Sequence, residues 1–183
     1  MKQKLYVAYG SNLNVEQMAY RCPTAKFVGV WVIKNHQLQF KGSSFGAYAT
    51  ISPKENESVP VGVWAIQPHD EKRLDAYEGY PSHYFKQNIP VEMEDGRKAN
   101  AMVYIMNLRM KFGMPSASYY KTVYQGYLDC GLDVDVLDKA VIHSTEKFYE
   151  NQALDLQEEM REYNDEEETL QDNYAEQEEL TIV

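Results

Sequence analysis

The order in which strand-like and helix-like segments follow one another constrains this chain more than any other feature. Leu5–Tyr9 reads as a first strand, broken at Gly10-Ser11-Asn12. Phe27–Ile33, His36–Lys41, Ala47–Ile51 and Val59–Ile66 read as further strands, with a glycine-bearing turn over Gly42–Gly46 between the middle two. Tyr84–Glu92 and Lys98–Ile105 alternate about Glu94-Asp95-Gly96 and predict a hairpin with glycine in its turn. Helical spacing interrupts this series early and then closes it. Asn14 predicts a cap for a short helix over Val15–Arg21, which must stop before Pro23. A second helix opens at Pro68-His69-Asp70-Glu71 and ends at Gly79, with Pro81 blocking its resumption. A third follows Pro115-Ser116 and carries Tyr119, Val123, Tyr127 and Cys130 on one face; a fourth starts near Asp133 and carries Val134, Leu137, Val141 and Ile142.

Strands come first, short helices sit among them, and two helices come last. That order is not the regular strand–helix alternation of a doubly wound sheet. It predicts a mixed α/β fold: a small twisted, partly closed β-barrel of about six strands with peripheral helices.

Charge divides the chain. Residues 151–183 hold 12 acidic side chains against one basic, Arg161, which leaves 16 acidic and 17 basic in residues 1–150. The net charge of −10 therefore belongs to the end of the chain, and the body is close to neutral. The division predicts a catalytic domain over 1–150 and an acidic helical or disordered tail over 151–183. A thin apolar seam, Phe148, Leu154, Leu156, Met160 and Tyr163, runs through the tail's beginning. Contact between two copies through Phe148, Leu156 and Tyr163, a homodimer, is the alternative use of that stretch.

Several classes fall away. No run of Lys or Arg offers a nucleic-acid footprint, and the acidic tail repels one. No stretch of 18 apolar residues exists to span a membrane, and the N-terminus lacks the apolar length of a signal peptide. The expected location is cytoplasmic. Cys22 and Cys130 are the two cysteines, without a CxxC, and are expected reduced. Cys22 beside Arg21 is either an activated thiol or, the more ordinary case, a small buried hydrophobe. His36, His69, His83 and His143 form no metal-ligand spacing; GxSxG, GxGxxG and GxxxxGK are all absent. Neither metal nor cofactor is expected.

Two segments carry the chemistry. Tyr9-Gly10-Ser11-Asn12-Leu13 stands between a strand and a helix, where glycine exposes backbone N–H groups and Ser and Asn add polar side chains. Taken alone it reads more readily as a plain strand-to-helix turn. Asp75-Ala76-Tyr77-Glu78-Gly79-Tyr80-Pro81 places Glu78 at a helix end with Tyr77, Tyr80 and Tyr84 nearby. A glutamate desolvated by such rings has a raised pKa and moves protons near neutral pH. The same residues also describe a solvated helix end.

Three segments, LYVAYGSNLNVEQM, LDAYEGYPSHY and GMPSASYYKTVYQGYLDCGL, resemble in their order the gamma-glutamylcyclotransferase-like (AIG2-like) family over roughly residues 3–142. The resemblance implies a small mixed barrel and an amide-cleaving enzyme of acyltransferase or lyase type. Such an enzyme releases 5-oxoproline and a free amine from a small-molecule gamma-glutamyl substrate. It implies Glu78 as general acid/base. It implies a cradle for the gamma-glutamyl group built from Tyr9, Gly10, Ser11, Asn12 and, at the edge, Leu13. Tyr84 and Tyr119 would face the ligand. The rival uses of the same fold are a non-enzymatic small-ligand-binding module and an amidase that releases glutamate. The acidic end has no counterpart in the family pattern.

Overall fold

The computed structural model describes residues 3–107 and 109–180, with side chains as far as 169. The strands are β1 (Lys4–Ala8), β2 (Lys26–Ser43), β3 (Gly46–Ile66), β4 (Tyr84–Glu92) and β5 (Lys98–Met106). The helices are α1 (Val15–Arg21), α2 (Pro68–Glu78), α3 (Ala117–Cys130) and α4 (Val134–Leu180), with a 3-10 turn over Ser11–Leu13 between β1 and α1. The chain divides after Thr145 into two units. The first holds all five strands, α1 to α3 and the opening turns of α4. The remainder of α4 forms the second, where the backbone is helical through Leu180.

The sheet is a closed barrel in the order β1-β3-β2-β4-β5. Three features make it. β2 and β3 form a long antiparallel hairpin, and β4 and β5 a second one, with nine partners from Tyr84↔Met106 to Glu92↔Lys98. β2 pairs with β4 at Val32↔Glu92. β5 then runs parallel to β1 through Tyr6↔Met102 and Val7↔Val103, which shuts the barrel. The barrel is thus closed rather than partly closed, and its strands number five where the sequence suggests about six. Two mergers make the difference: Phe27–Ile33 and His36–Lys41 join in β2, and Ala47–Ile51 and Val59–Ile66 join in β3 through 52–58, a polar run that continues as largely exposed strand. Its partner strand shifts register between Lys34 and His36. Asn35 and Asn56 absorb that irregularity with left-handed backbone (φ 55° and 63°), which asparagine tolerates better than most residues. The Asn56 N–H donates to Asn35 Oδ1 at 3.3 Å.

The helices form where the caps permit. Asn14 Oδ1 accepts from the Gln17 N–H at 2.9 Å and starts α1. Ser116 Oγ accepts from the Tyr119 N–H at 3.2 Å and starts α3, which ends on Gly131 in the left-handed region. α3 lies directly on the 3-10 turn. A Cβ on Gly126 would sit 2.6 Å from the Asn14 nitrogen and 2.7 Å from the Leu13 Cβ, so only glycine allows that approach. Leu13 is fully buried beneath it, against Gly62 of β3 on its other side. The loop that follows β1 is therefore clamped between the barrel and α3.

Candidate active site

Glu78 is the last residue of α2, and Gly79 turns the chain away from it in left-handed conformation (φ 63°). α2 is fastened to the barrel by a polar network. Glu71 pairs with Lys4 of β1 at 2.6 Å and with Lys86 of β4 at 2.9 Å; Asp75 pairs with Lys86 at 3.0 Å and accepts from the Tyr104 hydroxyl of β5 at 2.6 Å. These bonds fix the helix end that carries the carboxylate.

The Glu78 carboxylate meets the loop after β1. Asn12 Nδ2 donates to Glu78 Oε1 at 2.8 Å and to the Tyr6 hydroxyl at 2.7 Å, while Asn12 Oδ1 accepts from Arg21 Nη1 at 2.6 Å. Each side of the amide thus has its own partner. Arg21 also donates to Ser11 Oγ, to Gln17 and to the Tyr77 hydroxyl, and lies 3.7 Å over the Tyr77 ring. In the 3-10 turn, the N–H groups of Leu13 and Asn14 bond the carbonyls of Gly10 and Ser11. The N–H groups ahead of them, from Gly10 to Asn12, have no partner inside the turn, as in any helix start.

Two chambers flank Glu78. A small inner recess of about 30 Å³ is bounded by Tyr6, Tyr9, Tyr84, Tyr104, Tyr119 and the Gly10–Asn12 loop. An outer cavity of about 500 Å³ opens beyond it. Ser11, Glu78, Tyr84 and Tyr119 line both. The tyrosines of the recess are anchored through their hydroxyls: Tyr9 donates to the Tyr104 carbonyl and Tyr84 to the Ala49 carbonyl, at 3.0 Å for the latter. Tyr119 Oη instead accepts from the Ala49 N–H at 3.2 Å and from the Ser11 backbone N–H, neither of which uses its own proton. Gly10 lies against this hydroxyl: a Cβ there would sit 3.1 Å from Tyr119 Oη.

Burial pushes the Glu78 carboxyl up to about 7, against the opposing pull of Arg21 and of the Asn12 hydrogen bond. It is thus poised between its acid and base forms near neutrality. Burial likewise raises Tyr6, Tyr9 and Tyr84 well above the ordinary phenol value, with the Glu78 charge adding to it. These rings serve as neutral hydrogen-bonding walls.

The structure brings Tyr9, Gly10, Ser11, Asn12, Glu78, Tyr84 and Tyr119 to one place. Leu13 lines neither chamber; its side chain is packed into the core. Cys22 is buried, and its Sγ faces the Asp70 carbonyl at 3.6 Å; burial, with Asp70 adding, pushes its thiol up to about 11. It is the small buried hydrophobe, not an activated thiol. Sequence reasoning misses Tyr6, Tyr104 and Arg21. Tyr6 and Tyr104 meet edge to face at 5.9 Å only because β1 and β5 run side by side. No local pattern announces that pairing. Arg21 is signalled only by its position about two turns beyond the loop, at the end of α1. Among the described residues, no three His, Cys, Asp or Glu side chains gather to hold a metal, and no helix is long and apolar enough to cross a membrane.

A closed barrel with a half-buried carboxylate against the loop after β1, at the mouth of a cavity, has the form of an enzyme site. More particularly, the chain belongs to the family described as gamma-glutamyl cyclotransferase, AIG2-like, whose model matches residues 6–123. That span contains Tyr6, the Gly10–Asn12 loop, Glu78, Tyr84, Tyr104 and Tyr119. Over 143 residues the chain is 29% identical to the gamma-glutamylcyclotransferase of Homo sapiens, covering 74% of this chain and 76% of that protein. A solved structure of a gamma-glutamyl cyclotransferase superposes with a TM-score of 0.70 at 28% identity, over 76% of this chain and 86% of the other. A yeast gamma-glutamyl cyclotransferase specific to glutathione shares the fold alone, with a TM-score of 0.56 at 10% identity, over 81% of this chain and 97% of that one.

Proposed function

We propose that this chain cleaves a gamma-glutamyl amide by intramolecular cyclisation, releasing 5-oxoproline and a free amine, with Glu78 as the proton-transfer group. The observation that supports the reading best is the carboxyl held near neutrality by burial, at the junction of a polar recess and an open chamber. The gamma-glutamyl head sits at that junction, and the rest of the substrate extends into the outer chamber.

The Glu78 carboxylate takes a proton from the substrate's α-ammonium group. The freed nitrogen attacks the gamma-carbonyl carbon, the ring C–N bond forms and the carbonyl electron pair moves to oxygen. Because nucleophile and electrophile belong to one molecule held in one conformation, much of the entropic barrier is already met. The developing oxyanion lies against the N–H groups of Gly10 to Asn12. Collapse breaks the amide C–N bond as protonated Glu78 donates to the departing nitrogen. Over the cycle the α-nitrogen gives up two protons and the leaving nitrogen gains two, so Glu78 returns to its starting state. Asn12 holds the carboxylate in line, Arg21 holds Asn12, and the Tyr119 hydroxyl is the free donor facing the glutamyl head.

Incubation with several gamma-glutamyl amines, followed by mass analysis of products, tests the reading. Release of 5-oxoproline is expected. Release of glutamate would instead mark an amidase, and binding without turnover a ligand-binding module; either overturns it. In the same assay, Glu78→Gln keeps shape and hydrogen bonding but removes the base. It should lower kcat by about 100-fold or more with affinity within a few fold.

A further inference from the structure

We infer that the outer chamber is a leaving-group site for an apolar amine that carries no carboxylate, best filled by an arylalkyl amine. This rests on the cyclisation proposed above and narrows it to a substrate class. Away from the Gly10–Asn12 loop, the chamber is walled by Tyr48, Tyr77, Met106 and Met110, with Gly42, Gly46 and Gly79 opening room between them. Tyr48 and Tyr77 are half-exposed rings, and Met110 stands at the rim with 39% of its surface exposed. Methionine sulfur and tyrosine ring edges favour an aromatic guest.

The decisive feature is charge. Among the described residues lining the chamber there is neither Lys nor Arg; His83 is the one imidazole, and Glu78 the one acidic side chain. Three cations on the adjoining elements are engaged elsewhere. Arg21 is held by Gln17, Asn12, Ser11 and Tyr77. Lys86 pairs with Glu71 and Asp75 and lies over the Tyr80 ring; Lys41 lies over the Phe112 ring at 4.7 Å. A gamma-glutamyl amino acid would bring its leaving-group carboxylate into this chamber with neither Lys nor Arg in the lining to receive it and with Glu78 beside it. That arrangement desolvates a charge without a Lys or Arg partner and opposes ionisation of the base. An amine lacking the carboxylate avoids both effects and keeps the aromatic contacts.

Gamma-glutamyl-phenethylamide and gamma-glutamyl-phenylalanine differ only in that carboxylate, and gamma-glutamyl-methylamide lacks the ring. The experiment is kcat/KM of the full chain for the three compounds, read as 5-oxoproline release. The phenethylamide should exceed each of the others by about 10-fold or more. Met110→Lys places a cation at the rim and should raise the phenylalanine compound relative to the phenethylamide several-fold. Equal or faster turnover of gamma-glutamyl-phenylalanine by the unaltered chain, or a methylamide as good as the phenethylamide, overturns the inference while the cyclisation reading stands. A Met110→Lys ratio that does not move also counts against it. If none of the three yields 5-oxoproline, the cyclisation reading falls and takes the inference with it.

Discussion

Glu78→Gln should make the folded chain more stable at alkaline pH, and the size of the gain follows from the site. The carboxyl stands at about 7 in the folded state against an ordinary value of 4.5, and burial is the main cause. A raised carboxyl pKa means that the folded state holds this proton more tightly than the unfolded chain does. Between those two values the unfolded chain releases the proton first, so stability falls as pH rises through the window, and the full loss is present above the folded value. The gap corresponds to about 3 kcal/mol as an upper figure. The chamber admits solvent to one side of Glu78, so about 2 kcal/mol is the working expectation. Glutamine carries no such titration, and its Oε1 still accepts from Asn12. Urea unfolding followed through the buried Trp31 and Trp64 measures the effect. The difference in stability between variant and parent should widen by about 2 kcal/mol between about pH 4 and pH 8. A difference that stays constant across that range would refute the argument that burial of this carboxylate sets its pKa.

Three further outcomes are expected. Arg21→Met removes the charge that pulls the Glu78 carboxyl down, so its pKa should rise and the acidic limb of kcat/KM should move to higher pH; a limb that stays in place argues against Glu78 as the titrating base. Gly126→Ala forces a Cβ onto Asn14 and Leu13 and should destabilise the chain by about 1–3 kcal/mol in thermal or urea unfolding, despite alanine's better helix propensity. A chain cut after Asp165 should keep its turnover, because the residues lining both chambers all lie before residue 120; loss of most kcat with the fold retained, checked by circular dichroism, would refute this.

What the sequence discloses and what it hides follow from the range of the forces involved. Caps at Asn14 and Ser116, the stop at Gly79 and the hairpin around Gly96 are local, and each is legible from a few residues. The exposed stretch of β3 through Lys54-Glu55-Asn56-Glu57 is hidden, because a strand with both faces in water has no apolar alternation to show. Barrel closure is also hidden. It depends on a parallel pairing between residues almost a hundred positions apart, and nothing in Tyr6 or Met102 names the other. The site divides along the same line. Glu78 and the Tyr9–Asn12 loop are legible because each sits in a short segment with its own chain-breakers. Tyr6, Tyr104 and Arg21 come to Glu78 through register and packing, so only the assembled fold reveals them. Leu13 is a case of the reverse kind. A motif includes it for continuity, while its side chain serves the core.

The parallel seam between β1 and β5 also has a temporal meaning. A ribosome delivers the first strand, the Gly10–Asn12 loop and the Glu78 helix well before it delivers Met102 and Val103, and later still Tyr119 and Gly126. Until those arrive, β1 has one open edge, and the loop after it lacks the helix that presses it down. From the emergence of Glu78 until α3 is made, the nascent chain therefore holds Glu78 and the Gly10–Asn12 loop without the helix that clamps that loop. Closing the cylinder and clamping the loop beside Glu78 are both late steps, and a fragment that stops short of α3 should lack the proposed turnover however much of the motif it contains.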